Sequence, residues 1–494
     1  MDMQFLKNRN RVSLFLHAVL ILVTAWHVYL TVTEYLANLF YTHDVGVIDY
    51  LISNTYHGRF FFSIDTLACF WSQHFTPSLL ALVPLHFVFR HVLTIPILET
   101  LVLFSGAWAV AWMCSGLLRR GRKNGASFPP IALSLGVLYA ANTFTASIAF
   151  ANHFEGLGVG LMLWAFAALI NGRKRLFWFL FVVVLGCKCD FPLYGAAWGA
   201  WWILRGWQTR KAMTVKKRFP LGIGVILVSG LWFLVAVSVM AFVRHQQGMV
   251  EVAYSNRYSW MGSSASEILT QFFTHPLLFL QPIGKVIWDL LCSVFFIPLL
   301  APTTLLLLLP GACIMGLSSN SALHDIAYYY SYPFLAFLFL AVVLVAVRLL
   351  RFLGRFPQRR LLRTILLVFF CASAVYQFCQ PTHCDGKYRL PEKFTARHAW
   401  IRSTLRKVIP PNATVAAQFD LLGQVPQRPM IYQLLPENLD KAEYWVLDKN
   451  GYQGNLSDVD CYRILQTGDA LVAAGKAKIL VYKDGFLILQ VLKQ

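Results

Sequence analysis

The sequence predicts a polytopic α-helical membrane protein of about eleven spans, followed by a small C-terminal α/β domain on the extracytoplasmic side. The chain of 494 residues is 57% hydrophobic and 13% charged, about half the charged fraction of roughly 25% that soluble domains have. Apolar runs long enough to cross ~30 Å of hydrocarbon recur up to residue 380. The residues after 380 have a different pattern, which is typical of short strands and amphipathic helices.

The basic residues predict how the spans are oriented. Of the 28 lysines and arginines before residue 380, 22 fall in five clusters that flank apolar runs. Short cytoplasmic loops carry such an excess, so the formal charge of +20 reflects topology rather than a nucleic-acid partner. The clusters are Lys7–Arg11, Arg119–Lys123, Arg173–Arg175, Arg205–Arg218 and Arg348–Arg363.

Placing these clusters on the cytoplasmic side orders a membrane module of residues 1–380. The first run is too long for a secretory signal and lacks a small-residue cleavage site, so we interpret it as a retained helix. Residues 36–91 form a first outer loop, whose short apolar stretch 76–89 is predicted to lie in the membrane interface. The predicted spans are 13–35, 92–118, 129–148, 155–171, a pair between 176 and 204, 219–243, a hairpin within 285–318 broken by Pro298 and Pro302, 326–349 and 361–379.

Residues 381–494 are predicted to form the extracytoplasmic α/β domain. The segments "VAAQF", "MIYQL", "YWVLD" and "KILVYKDGFLILQVL" are typical of strands, and Asp484-Gly485 indicates a hairpin turn. The segments "EKFTARHAWIRSTLRKV" and "CYRILQTGDALVAAG" have the periodicity of amphipathic helices. A disulfide among Cys379, Cys384 and Cys461 is compatible with this location, but the sequence does not define its connectivity.

Acidic residues before residue 380 are concentrated on the predicted outer side. Nine of the twelve map to outer loops or their edges, although the greater length of those loops explains part of the bias. The positive-inside rule gives acids little directional force, so the set as a whole suggests chemistry at this face. The nine are Asp44, Asp49, Asp65, Glu155, Asp190, Glu251, Glu267, Asp289 and Asp325.

Two short turns place ionisable residues between apolar helices. In "LGCKCDFPLY", Lys188 and Asp190 interrupt a hairpin, and in "FANHFEG", His153 and Glu155 do the same. Ionisable residues at membrane depth are costly, which makes them candidate functional residues. The alternative is an ion pair between Lys188 and Asp190 that only stabilises the turn, and this pair would need non-helical backbone.

The first outer loop is dense in residues able to transfer protons or hold a metal. A carboxylate beside histidines at the membrane surface can act as a general base. The same residue types allow a divalent metal, although no ligand spacing specifies one. The residues are His43, Asp44, Asp49, His57, Arg59, Asp65 and His74.

Several segments resemble, in order, a prokaryotic family of predicted membrane proteins called domain of unknown function 2079. They are "THDVGVIDYLISNTYHGRFFFS", "HFTPSLLALVPLHFVF", "NHFEGLGVGLMLWAFAAL", "CKCDFPLYGAAW", "LHDIAYYYSYPFLAFLF", which contains His324, and "IPPNATVAAQFDLLGQVPQRPMIYQLLP". The chain departs from the family pattern at three places. His43 replaces an apolar or aromatic residue, Tyr50 replaces Gln, and Cys189 replaces Glu.

That family in turn is similar to the GT-C superfamily of membrane glycosyltransferases. The resemblance implies a sugar donor carried on polyprenyl phosphate or pyrophosphate, an unknown glycan, lipid or protein acceptor, and transfer at the outer face of the cell (inner) membrane. It places Asp44 at the catalytic acid position, with Asp49 as a second candidate. Cations must hold the leaving phosphate, and the candidates are Lys188, Arg59, Arg257 and His74. Further outer-face candidates are His43, Glu155, Asp190 and His324.

Two other classes of protein remain open at this point. A transporter or lipid flippase could use buried Lys188, Asp190 and Glu155 as substrate or coupling-ion sites, although no inverted repeat is visible. A non-catalytic envelope scaffold could use its C-terminal domain to bind a partner. Consumption of a lipid-linked sugar would separate the enzyme from both.

The predicted topology has a direct test. The basic clusters place the N-terminus in the cytoplasm and residues 380–494 outside. A reporter fused after Gln494 should therefore be active only if it is exported, and cysteines introduced in this domain should react with an impermeant thiol reagent. A cytoplasmic C-terminus would contradict the topology and the outward-facing chemistry together.

Overall fold

The structure is a computed structural model. It describes residues 3–39, 44–64, 67–119, 129–208, 212–249, 255–382, 386, 388–425, 427–428, 430–451 and 456–492. The chain divides into two compact units. We call Met1–His27, Glu99–Phe150 and Phe154–Arg389 the first unit, and Val28–Leu98, Ala151–His153 and Leu390–Gln494 the second unit.

The described chain is mainly helical. Its helices are α1 Met3–Leu36, α2 Asp44–Tyr56, α3 Leu82–Val88, α4 Thr94–Arg119, α5 Pro130–Ala141, α6 Thr143–Ala151, α7 Glu155–Ile170, α8 Lys174–Leu185, α9 Phe191–Gln208, α10 Ala212–Gln246, α11 Ala265–Thr274, α12 Pro276–Cys292, α13 Leu309–Gly316, α14 Ser321–His324, α15 Tyr332–Leu353, α16 Arg359–Cys379, α17 Ala396–Val408 and α18 Asp458–Ala473. The strands are β1 Phe62–Ser63, β2 Ala68–Cys69, β3 Val415–Ala417, β4 Ile431–Gln433, β5 Tyr444–Asp448, β6 Ala477–Lys483 and β7 Phe486–Val491.

Helices long and apolar enough to cross a membrane lie in α1, α4, α10, α15 and α16. Together α5 and α6 form a sixth candidate that bends by 49°. The number of candidates in the described residues is thus five or six by length and composition, compared with the eleven spans expected. The difference arises because other apolar segments form helices shorter than a full span, as in α7 and α8.

The span predicted for residues 129–148 is not one continuous helix but the bent pair α5 and α6. Asn142 has extended backbone, with ψ 141°, and its side-chain oxygen accepts a hydrogen bond of 3.0 Å from the Phe144 backbone N–H. A local side-chain acceptor of this kind competes with the helical hydrogen-bond ladder. The helix is therefore interrupted at Asn142, and α6 leaves in a new direction.

The hairpin predicted within residues 285–318 is broken at Pro298 and Pro302 as expected, but its helices are shorter than full spans. Helix α12 begins earlier, at Pro276, and ends at Cys292. Phe295 and Phe296 then adopt left-handed backbone, with φ of 54° and 56°. Two 3₁₀ turns follow, Ile297–Leu300 and Pro302–Leu307, each with a proline in its first turn, before the short α13. Proline lacks the N–H that would continue a helix, which accounts for the breaks.

The C-terminal part of the second unit contains a five-stranded mixed sheet of order β4-β3-β5-β7-β6. Strands β4, β3 and β5 are parallel, and β5, β7 and β6 are antiparallel. Helix α17 covers one face and α18 the other, because alternate residues of each strand point to opposite faces. In the turn between β6 and β7, Asp484 and Gly485 both have positive φ, as expected of this dipeptide.

The first unit has a closely packed apolar core. Gly136 of α5 lies against α4, where a Cβ atom at this position would stand 2.5 Å from the Ala107 carbonyl oxygen. Gly160 of α7 likewise faces the Val102 carbonyl oxygen of α4. Small residues let helix backbones approach in membranes, where no hydrophobic drive exists between helices. The two glycines therefore set how closely α5 and α7 pack on α4.

We expect Gly136→Ala to destabilise the protein by about 1–3 kcal/mol, since the added methyl group meets rigid backbone. Thermal unfolding of the purified protein in detergent would measure the change. Gly230→Ala is the matched control, because nothing lies within 4 Å of a Cβ atom there. Equal melting temperatures for the two variants would contradict the close approach of α5 and α4.

Candidate functional site

Asp44 is the first residue of α2 and stays partly accessible. Its side chain is 24% exposed, and its Oδ1 lies 3.9 Å from Nε2 of His153, whose side chain is 9% exposed. This distance is too long for a direct hydrogen bond and short enough for an electrostatic interaction. Asp44 is thus a carboxylate with a histidine beside it and a face open to a reactant.

The residue before His153 brings in a second carboxylate. Nδ2 of Asn152 donates a hydrogen bond of 2.7 Å to Oε2 of Glu34, and both side chains are buried. Asn152 has φ of 51°, in the left-handed region that asparagine tolerates better than most residues. The break between α6 and α7 thereby directs Asn152 to Glu34 and His153 to Asp44.

Asp49 has a different environment from Asp44. It is 2% exposed, and its Oδ1 lies 2.7 Å from Nε2 of His86, which is fully buried on α3. The Nδ1 atom of His86 lies 3.3 Å from the Tyr56 hydroxyl. Burial raises the pKa of Tyr56, the charge of Asp49 raises it further, and Arg90 opposes both. Asp49 therefore connects α2 to α3 through His86.

The remaining candidates in the second unit are Arg59 and His74, and both are half-buried. The Arg59 guanidinium carbon lies 5.8 Å from the centre of the Phe62 ring. The His74 ring is tilted against that of Phe70, with ring centres 5.2 Å apart. His43 lies outside the described residues, so its position relative to Asp44 stays a prediction.

In the first unit, Lys188 pairs with Glu155 rather than with Asp190. Its Nζ lies 2.5 Å from Oε1 of Glu155, and the two side chains are 12% and 0% exposed. The same Nζ lies 4.7 Å from the centre of the Tyr332 ring and 5.5 Å from that of Tyr329. The expected alternative of a Lys188–Asp190 pair does not occur. The lysine is held by a carboxylate and two aromatic faces.

Asp190 accepts hydrogen bonds from two tyrosines. The Tyr194 hydroxyl donates one of 3.1 Å to Oδ2, and the Tyr332 hydroxyl donates to the same atom. Partial burial raises the pKa of Tyr258, the charge of Arg257 lowers it, and the charge of Asp190 raises it. Tyr332 thus contacts both Lys188 and Asp190, so that one aromatic residue connects the two ionisable residues of "CKCDF".

Arg257 and His324 lie in short segments of the first unit and are half-buried. The Arg257 carbonyl accepts a hydrogen bond of 2.7 Å from the Ser319 N–H, and Nε2 of His324 contacts the Ser318 carbonyl. These two residues therefore flank the Ser318–Ser319 loop. Within the part of the chain that the structure describes, no group of three or more His, Cys, Asp or Glu side chains could hold a metal ion.

Sequence reasoning missed Glu34, His86 and Asn152. Glu34 is one of the twelve acids before residue 380 but is not among the nine on the predicted outer side, because it lies within the first apolar run. A charged residue inside such a run is itself a functional signal, and it could have identified Glu34. The pairing of His86 with Asp49 spans 37 residues and has no local sequence signature.

The Lys188–Glu155 contact predicts a non-additive effect on stability. Removing one partner leaves a buried charge uncompensated, so Lys188→Met should destabilise the protein by about 3–5 kcal/mol. In the double variant Lys188→Met/Glu155→Gln no net charge is buried, and much of the loss should be recovered. Chemical or thermal unfolding of the purified protein would measure both.

Lys285→Met is the matched control for this comparison. Lys285 lies 3.2 Å from Asp289 and 2.7 Å from Asp325 but is 50% exposed, so its loss should cost under about 1 kcal/mol. If Lys188→Met were no more destabilising than Lys285→Met, the buried pair would have no structural role.

Among solved structures, this chain is similar to two crystal structures of ArnT from Cupriavidus metallidurans. The apo crystal structure matches with a TM-score of 0.53 at 12% sequence identity, covering 96% of this chain and 97% of that one. The structure bound to undecaprenyl phosphate has a TM-score of 0.48 at 13% identity, with the same coverage. The likeness to the apo structure extends over nearly the whole chain and shows that the two proteins share a mainly helical fold.

The sequence was also compared with curated proteins and with family profiles. No curated protein matches the chain significantly. The profile of the family described as "Predicted membrane protein (DUF2079)" matches residues 35–459, which include both carboxylates of α2 and three of the five strands of the C-terminal sheet. The chain therefore belongs to this family of predicted membrane proteins.

Proposed function

We propose that the protein is a membrane glycosyltransferase that moves a sugar from a polyprenyl-phosphate-linked donor to an acceptor at the outer face of the membrane, with Asp44 as general base. The observation that carries the proposal is the accessible carboxylate of Asp44 at the start of α2, beside His153. The ArnT-like fold over nearly the whole chain supports the same class of enzyme.

The accessibility of Asp44 distinguishes it from Asp49, the second candidate base. Asp49 is almost fully buried, and its Oδ1 is already occupied by His86. A base has to reach the proton of a bound reactant, and only Asp44 has open surface for this. Asp49 is more suited to holding α3 against α2 while Asp44 acts.

The reaction requires a proton acceptor and a stabilised leaving group. The acceptor hydroxyl attacks the anomeric carbon, and Asp44 takes the hydroxyl proton as the new C–O bond forms. The bond between that carbon and the phosphate oxygen breaks, and the lipid phosphate leaves with the electron pair. When His153 is protonated, its positive charge stabilises the ionised form of Asp44 before the transfer.

Cations have to neutralise the departing phosphate. Arg59 belongs to the same compact unit as Asp44 and is only half-buried, which favours it for this role. Arg257 and His74 remain candidates on their residue type and partial exposure. Lys188 is a weaker candidate than its sequence position suggests, because Glu155 already neutralises its charge at 2.5 Å.

The second candidate function is transport of a lipid or polysaccharide. The observation in its favour is the buried Lys188–Glu155 pair with Asp190 and its tyrosines, since ionisable groups among apolar helices often mark substrate or ion pathways. A scaffold that only binds a partner is the third. Purified protein that consumes a lipid-linked sugar would establish the enzyme, and movement of an intact lipid across a vesicle would establish the transporter.

Asp44→Asn tests the assignment of the base. The change keeps the size and much of the hydrogen bonding but removes the proton acceptor, so turnover should fall by roughly 10²–10⁴-fold. Folding should be preserved, because Asn and Asp are comparable residues at a helix start. The measurement is sugar transfer from a lipid-linked donor by purified protein, with the melting temperature recorded alongside.

Asp440→Asn is the control, since Asp440 is an exposed acid of the same compact unit and should leave turnover unchanged. Asp49→Asn should differ from Asp44→Asn and Asp440→Asn, because it disturbs the buried pair with His86 and should lower the stability of the protein. Near-normal transfer by folded Asp44→Asn would remove Asp44 from the role of base.

A further inference from the structure

A cavity of about 430 Å³ lies within the second unit, where α1 ends. It is formed by the last two residues of α1, by His91 and by one side of α17. Its lining residues are Tyr35, Leu36, His91, Ala399, Arg402, Ser403, Arg406 and Lys407. The cavity thus combines apolar walls near the helix end with a set of basic side chains.

The charge of this cavity is one-sided. Arg402 and Arg406 are four residues apart and share one face of α17, and Lys407 follows directly. No carboxylate pairs with any of the three cations within the described ranges, and no acid lines the cavity. Burial lowers the pKa of Arg402, Tyr35 opposes this shift, and the neighbouring charge of Arg406 lowers it further. An anion entering the cavity would relieve this repulsion.

The two arginines retain hydrogen-bonding capacity. One terminal nitrogen of Arg402 donates to the Leu36 carbonyl and to Oδ1 of Asn38, and one nitrogen of Arg406 lies 3.3 Å from the Tyr35 hydroxyl. The contact with Leu36 caps the C-terminal end of α1, whose last carbonyls have no partner within the helix. A guanidinium has five N–H donors, so each arginine can bind a further acceptor while it keeps these contacts.

The depth of the cavity relative to a bilayer follows from α1. The candidate span Asn10–Leu36 ends at the two residues that line the cavity, Tyr35 and Leu36. The end of a span lies at the level of the lipid headgroups, where phosphate groups are concentrated. Tyrosine is typical of this interface, with its ring in the apolar layer and its hydroxyl toward water.

From this juxtaposition we infer that the cavity between the end of α1 and α17 binds the phosphate headgroup of an anionic membrane phospholipid. Arg402, Arg406 and Lys407 supply the positive charge, and Leu36, Ala399 and the Tyr35 ring contact the apolar part next to the headgroup. The site is separate from Asp44 in its residues and does not depend on the proposed transfer reaction.

Native mass spectrometry of the purified full-length protein in detergent tests the inference, with lipids of the same acyl chains added. We expect phosphatidylglycerol to bind more tightly than phosphatidylcholine. In the double variant Arg406→Gln/Lys407→Gln, affinity for phosphatidylglycerol should fall by roughly ten- to thirtyfold, as two cations near an anionic headgroup are lost. Arg406→Lys keeps the charge and should retain most of the binding.

The control is Lys476→Gln/Lys478→Gln, which removes the same net charge from exposed positions at the start of β6 and should leave binding unchanged. Melting temperatures identify any variant whose loss of binding reflects unfolding. If the double variant unfolds, the test is whether Arg406→Lys, which keeps the charge, retains most of the binding. Three results would overturn the inference: equal binding of the two lipids, competition by inorganic phosphate alone at lipid concentrations, or a preference for polyprenyl phosphate that these substitutions abolish.

Discussion

Charged side chains among apolar helices need partners, and this constraint accounts for most of the polar contacts described above. Glu155 is fully buried and lies 2.5 Å from Lys188, whose Nζ also faces two tyrosine rings. Glu34 is buried and accepts a hydrogen bond from Asn152. Leaving any such group unpaired in a low-dielectric interior would cost several kcal/mol, roughly the size of a protein's whole net stability. Each pair therefore also fixes the positions of the helices that carry it.

Asp44 differs from these buried groups because its carboxylate stays partly exposed, and that is why it is the candidate base. Its carboxylate is 24% exposed and lies 3.9 Å from His153, whereas Asp49, five residues along the same helix, is buried against His86. Residues five apart on a helix point about 140° away from each other, since each residue turns the helix by roughly 100°. One short helix thus presents one carboxylate to a reactant and uses the other to bind its neighbour.

The cationic cavity at the end of α1 follows from the same physics at a different depth. At the headgroup level water and lipid phosphates can compensate charge, so Arg402, Arg406 and Lys407 need no carboxylate from the protein. Arg402 also donates to the Leu36 carbonyl in the last turn of α1, and Arg406 contacts the Tyr35 hydroxyl. Residues of the C-terminal region therefore define how the first apolar helix ends.

The sequence by itself determined which segments are apolar enough to leave water, where basic residues flank them, and which short stretches alternate as strands. These features depend on composition and local periodicity, and they include the turn Asp484-Gly485, whose positive φ follows from residue type. Family membership also followed from ordered motifs along the chain.

Only the tertiary structure decided which polar groups meet. The partners are 37 residues apart for Asp49 and His86, 33 for Glu155 and Lys188, and 118 for Glu34 and Asn152. No local pattern records such separations, so the sequence alone suggests Asp190, the nearer neighbour, as the partner of Lys188. The break at Asn142 has a related cause: its side chain replaces a backbone hydrogen bond within a run that is mainly apolar and long enough to span. Composition sets the solvent that each segment prefers, whereas pairing depends on three-dimensional proximity that composition does not contain.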